Sequence, residues 1–296
     1  MINALTSLNC AGTLLDLSQP RVMGILNLTP DSFYDGGFYA SEPAVLQHCE
    51  RLLAEGATII DIGGASSRPG APSIEPEVEL ARILPAIRSI RRAFPQALLS
   101  VDTYWGSVAR AVVGEGVQLI NDISAGQMDP QLWPTLAELK VPYILMHMQG
   151  RPRDMQSAPQ YESVTVEVLD FLIEKVGQLR EMGLYDIVID PGFGFGKTIA
   201  HNYQMLAEFS AFRILGLPVL AGLSRKSMIY KTLDVSAAEA LNGTTALHMV
   251  ALQGGASILR VHDVAEARQT IRLWEQLERA KPALHQTAAP HAPDGR

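Results

Sequence analysis

Asp102, Asn121, Asp190 and Lys226 each end, or closely follow, a short apolar run. Two carboxylates, an amide and an ammonium suit a flat heterocycle with an amino-pyrimidinone edge, because paired N–H donors want a carboxylate and a ring carbonyl wants an ammonium. Arg260 and His262 alternate at the end of the last run, which predicts that they point to the same side and form an anion site. Asn27, at the end of the first run, would complete that site if the runs close into a ring. Singly, each has a plainer explanation: an Asp at a strand-to-helix junction often caps the following helix. Four such groups in register at strand ends favour a binding site.

Three connections carry further candidates. NLTPDSFYDGGFYA (27–40) is long, bears Asp35 and contains Gly36-Gly37, which suits a functional lid as well as a surface Asp-Gly turn. GGASSRPGAPS (63–73) holds a single cation, Arg68, fit for a mobile phosphate or carboxylate contact, although a lone loop arginine is usually solvated. DPGFGFGKT (190–198) fails as a Walker A loop and is not GxGxxG. Its glycines fit backbone sites that let a flat ligand, or Phe193 and Phe195, come close.

The elements that must position these groups repeat eight times: VMGILNLT (22–29), TIIDIGG (58–64), LLSVDT (98–103), LINDIS (119–124), PYILMHM (142–148), IVIDPGF (187–193), VLAGLSR (219–225) and ASILRVHD (256–263). Asp61, His147, Ser224 and Arg225 stand with the candidates at their ends. The runs are rich in Val, Ile and Leu on both faces, which predicts parallel strands covered by helices. Segments with helical periodicity alternate with them, for example 42–55 and 76–93. The fold class is therefore α/β, a (β/α)8 TIM barrel, with all strand-end groups on one rim. Ser236-Ala-Ala-Glu239 has capping-box spacing and should start a helix through Leu241 to Leu252. Residues 8–17 read as a short β-hairpin laid across the bottom of the barrel, and 281–296 as a disordered C-terminal tail whose His285 and His291 are solvated.

Composition agrees with one domain over 1–280: the 296 residues are 47% hydrophobic and 19% charged, and a barrel needs roughly 250. The net charge of −7 argues against nucleic acid or an anionic membrane as the main partner, while a few local cations could still hold a small anion. Cys10 and Cys49 lack metal-ligand spacing and read as free thiols. No run approaches the ~18 residues of a membrane span, and the N-terminus has no signal-peptide pattern, so a cytoplasmic protein is expected.

MGILNLTPDSFYDGG (23–37), DIGGASSRPG (61–70), SVDT (100–103), NDIS (121–124), MHMQG (146–150), DPGFGFGK (190–197), LSRKSM (223–228) and RVHDV (260–264) resemble, in unbroken order, the motif blocks of the dihydropteroate synthase family. The resemblance runs from about residue 12 to 280. It implies a folate-biosynthesis transferase that condenses 6-hydroxymethyl-7,8-dihydropterin pyrophosphate with p-aminobenzoate to 7,8-dihydropteroate and pyrophosphate. It also implies that Asp102, Asn121, Asp190 and Lys226 hold the pterin, walled by Met146 and Ile123. Arg260, His262, Asn27 and Arg68 would hold the pyrophosphate, with Asn27 close to Mg²⁺, and Ser227, Phe195, Ser67, Pro69 and Phe33 would form the aminobenzoate pocket. A homodimer through the outer helices is likewise implied.

An arylamine is mostly unprotonated at neutral pH, so leaving-group departure is the harder problem and a dissociative displacement is expected. Asp102, Lys226, Arg260 and His262 would carry it, with Asp35 and Arg68 on loops that close over the site. Arg260→Ala is expected to cripple turnover with little loss of fold. Ala65, Ser67, Tyr34 and Tyr104-Trp105-Gly106 depart from the family pattern and bear on loop dynamics and sulfonamide-type competitors. Two rivals remain. A pterin-dependent methyltransferase-type barrel would have no use for the RVHD pair, and a silent paralogue should have lost one of Asn27, Asp102, Lys226, Arg260 or His262.

Overall fold

The computed structural model describes residues 5–29, 41–66, 70–71 and 73–281. Strands β1 (Ser7–Cys10) and β2 (Thr13–Asp16) pair antiparallel as a hairpin. Eight parallel strands follow: β3 (Arg21–Asn27), β4 (Ile59–Gly63), β5 (Leu98–Asp102), β6 (Leu119–Asp122), β7 (Tyr143–Met146), β8 (Ile187–Asp190), β9 (Leu220–Ala221) and β10 (Ile258–Val261). The spatial order is β8-β7-β6-β5-β4-β3-β10-β9, and a parallel bridge between Ile189 and Val219 joins the two ends of the sheet. This is the predicted barrel, with strands shorter than the apolar runs because each run continues past its last ladder hydrogen bond into the rim.

The outer layer consists of α1 (Glu42–Glu55), α2 (Pro76–Ala93), α3 (Gly106–Gly114), α4 (Leu132–Leu139), α5 (Val164–Glu181), α6 (Ile199–Ala207), the short α7 (Ser227–Tyr230), α8 (Leu241–Gly254) and α9 (Val264–Ala280). Proline in the first turn pre-sets the backbone of α1 and α2, and Gly56 ends α1 at φ 102°, where its N–H reaches back to the last turn. In α2, Ile83, Ile87 and Ile90 are fully buried against the strands, each worth about 1.5–3 kcal/mol. The Ser236–Glu239 capping box forms, yet it opens a 3-10 turn over Ala237–Glu239, and α8 begins only at Leu241. At this turn the Arg225 guanidinium donates to the Ala237 and Ala238 carbonyls, and Ala237 O also accepts the Ala240 N–H.

Strand alternation sorts the interior into layers. The bottom layer is Met23, Ile59, Leu98, Leu119, Ile144, Val188, Leu220 and Ile258, closed from below by Leu8, Cys10, Leu15 and Leu17 around the hairpin. Two residues further along the same strands lie Ile25, Asp61, Ser100, Asn121, Met146, Asp190, Gly222 and Arg260. Another two bring Asn27, Gly63, Asp102, Ile123, Ser224 and His262 to the rim. An apolar floor thus supports a polar middle.

Candidate active site

Arg260 is the hub of the middle layer. Its Nε donates to Asp61 Oδ2 at 2.6 Å and its Nη2 to Asp102 Oδ2 at 3.1 Å. Asn121 Nδ2 donates to the same Asp61 oxygen at 3.1 Å. Asp61 is 0% exposed and has no access to water, so an ion pair with two donors on one oxygen is what makes its burial tolerable. Asp102 stands above its ordinary pKa because burial disfavours the charged form, against the pull of Arg260.

Across the mouth, Asp190 Oδ1 accepts from the Gly192 N–H at 2.8 Å, and burial raises its pKa while Lys226 opposes the shift. Lys226 caps α7, donates to the Phe193 carbonyl and lies with Nζ 4.7 Å from the centre of the Phe195 ring. Burial brings its pKa down to about 8, with Asp190 pulling the other way. Met146, Ile123 and Tyr104 form an apolar patch against which Phe195, Met128 and Trp105 pack. Hydrogen-bonding groups therefore face an apolar wall, the arrangement a flat heteroaromatic ligand requires. Beside Asp102 lies a cavity of about 360 Å³, lined among others by Glu79, Tyr104, Ile123, Met128, Arg151 and Arg153.

Asn27 ends β3 on the same rim, and its amide makes no hydrogen bond among the described residues. His262 follows β10, and its Nδ1 lies 3.1 Å from Ser224 Oγ, which also accepts the His262 N–H. The residue is exposed at the rim, and desolvation of the part of its ring turned toward Ser224, together with the Arg260 guanidinium, lowers its pKa below the ordinary imidazole value. Arg260 and His262 do share the inward face, but their partners differ: Arg260 is committed to two carboxylates across the barrel. Ser227 opens α7, half-buried, next to Lys226. Phe33, Tyr34, Asp35, Ser67, Arg68, Pro69 and the stretch 282–296 lie outside the described residues.

Some sequence expectations need correction. Phe193 does not approach the mouth: it is fully buried and stacks at 5.9 Å on Phe209 in the outer core. The positive-φ glycines of 192–196 admit neighbouring backbone, since a Cβ on Gly192 would fall 1.9 Å from the His147 carbonyl oxygen. His147 sits on the outward parity of β7, packed edge-on against Phe171 at 4.9 Å, and so contacts no ligand space inside the barrel. Arg225 faces Asp263 in a bidentate pair at 2.8 Å. The expectation that Arg260→Ala would spare the fold does not survive the Asp61–Arg260–Asp102 bridge, because the substitution strands two carboxylates.

Sequence reasoning left two groups without a role. Lys197 is 2% exposed and donates to the Gly192 and Phe195 carbonyls at 3.0 and 3.1 Å. Glu79, on α2, is 0% exposed with neither carboxyl oxygen hydrogen-bonded among the described residues. Burial pushes its pKa up to about 8, against Thr103. A lysine in a Gly-rich loop was a visible signal; nothing in the periodicity of α2 marks its glutamate as buried.

The model of a family described as "Pterin binding enzyme" matches residues 23–262. The dihydropteroate synthase of Escherichia coli strain K12 is 44% identical over 272 residues, covering 91% of this chain and 96% of that one. The chain belongs to the dihydropteroate synthase family. Solved dihydropteroate synthases agree in architecture: that of Yersinia pestis, in complex with a sulfonamide drug, superposes with a TM-score of 0.88 at 41% identity over 93% of this chain and 100% of that one. That of Xanthomonas albilineans, in complex with 7,8-dihydropteroate, gives 0.83 at 40% identity, again over 93% and 100%. Family members named dihydropteroate synthase are transferases, and this chain is an enzyme of that class.

Proposed function

We propose that this chain condenses 6-hydroxymethyl-7,8-dihydropterin pyrophosphate with p-aminobenzoate, forming 7,8-dihydropteroate and releasing pyrophosphate. The observation that carries the reading is the polar middle layer of the barrel, Asp61, Asn121, Asp190 and Arg260. A purely structural barrel would fill that layer with branched aliphatics. Buried carboxylates, an amide and cations beside Met146 and Ile123 match the edge and face of a pterin. The Xanthomonas relative, in complex with 7,8-dihydropteroate, supports the same substrate class.

In this reading Asp102, Asn121, Asp190 and Lys226 orient the pterin. Arg260, His262, Asn27 and Arg68 bind the pyrophosphate, and Ser227, Phe195, Ser67, Pro69 and Phe33 enclose the aminobenzoate. The pterin and Asp102 stabilise an electron-deficient methylene as the C–O bond breaks, the aryl nitrogen adds to that carbon, and its proton leaves to solvent or pyrophosphate. Arg260 would shift from its carboxylate partners toward the substrate as Asp102 engages the pterin. Asp35 and Arg68, on their loops, would exclude water.

A Mg²⁺ ion fits the donor chemistry. The free Asn27 amide offers one oxygen, and among the described residues no cluster of three His, Cys, Asp or Glu competes as an all-protein cage. Mg²⁺ keeps several waters and is held largely by substrate phosphates with one or two protein oxygens, most often carboxylate, a place the Asn27 amide oxygen would take here; when bound, the ion would supply charge neutralisation for the departing pyrophosphate. Leu273 and Leu277, exposed one turn apart on α9, and Val250 on α8 support a homodimer through the outer helices. No described helix is long and apolar enough to cross a membrane, and a cytoplasmic enzyme accords with that.

The test is pyrophosphate release from the pterin substrate, measured with and without p-aminobenzoate and Mg²⁺, with dihydropteroate identified by mass. Correctly folded protein that binds the pterin but yields no product would replace this reading with that of a silent paralogue.

A further inference from the structure

Lys197, in the loop just before α6, makes more hydrogen bonds than the start of that helix needs. Its Nζ lies 2.9 Å from His147 Nδ1, 3.0 Å from Gly192 O, 3.1 Å from Phe195 O and 3.4 Å from His147 O. Those acceptors belong to two rim segments: the chain leaving β7 (147–149) and the loop leaving β8 (191–196). The segments touch backbone to backbone. A Cβ on Gly192 would meet His147 O at 1.9 Å, and one on Gly196 would meet Gln149 O at 2.2 Å. Such a contact turns carbonyl oxygens inward, away from water, where an unpaired acceptor is costly. The buried Lys197 amine, whose pKa burial brings down to about 7, shares its N–H donors, three at most, among these acceptors and so ties the two segments together. For His147 Nδ1 to accept, the imidazole must be neutral with its proton on Nε2; burial, with Lys197 beside it, holds the ring neutral by lowering its pKa.

Three features of the site hang on this knot. Phe195 packs against the patch of Met146, Ile123 and Tyr104. The Phe193 carbonyl anchors Lys226, whose ammonium also faces the Phe195 ring. Gly192 N–H fixes Asp190. Lys197 itself is behind the loop and touches no ligand space.

We propose that Lys197 is a positioning residue for the aminobenzoate side of the site, clamping the 192–196 loop onto 147–149 so that Phe195 stands at the pterin's edge. The inference rests on the dihydropteroate synthase reading, in which Phe195 walls the aminobenzoate. Without the clamp, the glycines at 192, 194 and 196 let the loop lift, and the wall moves while the β5 and β6 contacts to the pterin stay in place.

The experiment is steady-state kinetics of wild type, Lys197→Met, Phe195→Ala and the double variant, varying each substrate in turn. The expected result is a KM for p-aminobenzoate raised about tenfold or more in Lys197→Met, with a smaller rise, under about threefold, in the KM for the pterin substrate, which keeps Asp102 and Asn121 while the loop's support of Lys226 and Asp190 weakens, and with kcat changed less than about threefold. The double variant should be no worse than Phe195→Ala alone, because both changes remove the same wall. A generally loosened fold would instead move both KM values and kcat together, which would overturn the proposal, as would additive effects or an unchanged aminobenzoate KM. Should Lys197→Met fail to give folded protein, Lys197→Gln, which keeps part of the donor set, must show a smaller rise confined to the aminobenzoate KM, and the absence of any rise overturns the proposal. An inactive wild type defeats the functional reading and this inference with it; an active wild type with unaffected variants defeats the inference alone.

Discussion

Arg260→Ala tests whether the hub of the middle layer holds the barrel together as well as serving its chemistry. The arginine makes two charge-assisted hydrogen bonds, at 2.6 Å to Asp61 and 3.1 Å to Asp102, with Asp61 fully buried and the Asp102 side chain 16% exposed. Removing one partner of a buried ion pair costs about 3–5 kcal/mol, and two charge-assisted bonds at about 1.5–3 kcal/mol each lead to the same range. The loss should depend on pH. Asp102 already has a raised pKa from burial, and deleting Arg260 raises it further, so the folded variant binds more protons than the unfolded chain above about pH 4. A group raised in the folded state loses stability as pH rises toward the folded pKa, at about 1.4 kcal/mol per unit for one proton. Urea unfolding should therefore show Arg260→Ala weaker than wild type by about 3–5 kcal/mol near pH 8, the deficit narrowing by about 1 kcal/mol near pH 5.5, because the wild-type carboxyl is itself raised to about 7 and the two proteins diverge only above that. Adding Asp61→Asn to the variant should recover part of the deficit at pH 8 by removing one stranded charge. A deficit below about 0.5 kcal/mol, or one equal at both pH values, would refute the bridge as a stabilising element.

Other consequences can be checked directly. Glu79→Gln should stabilise the protein relative to wild type increasingly from about pH 4.5 to 8: the wild-type carboxyl, pushed up to about 8, keeps a proton that the unfolded chain releases, so wild type loses stability across that window. Thermal unfolding at several pH values measures this, and a pH-independent difference would contradict it. Gly192→Ala places a Cβ 1.9 Å from the His147 carbonyl oxygen at φ 73°, so it should lower stability by at least about 2 kcal/mol in urea unfolding and weaken turnover with it. Chelation of Mg²⁺ should abolish pyrophosphate release while leaving the melting temperature of the ligand-free chain unchanged, since the ion is held chiefly by substrate oxygens. A chelator-induced drop in that melting temperature would point to a structural metal instead.

Period-two alternation made much of the site legible in advance. Met23, Ile25 and Asn27, or Ile258, Arg260 and His262, share one face of their strands wherever the strands lie, so the inward groups could be read from spacing alone. Alternation of strand and helix likewise implied the parallel barrel, because a parallel connection needs a crossover. The same parity, applied strictly, would have turned His147 outward, to Phe171 and Lys197. Glu79 was illegible because its surroundings come from other elements, including Gly64 and Thr103, and not from α2.

The sequence by itself therefore determined the fold class, the floor of the barrel and which side chains face its interior, since these follow from local periodicity and from burying apolar surface. Only the tertiary structure decided how those side chains pair. Arg260 reaches Asp61 across 199 residues of sequence and Asp102 across 158, and Lys197 ties His147 to its own loop across 50. Such pairings are set by which strands become neighbours and by the geometry of charges removed from water, and neither is recorded in the spacing of residues along the chain.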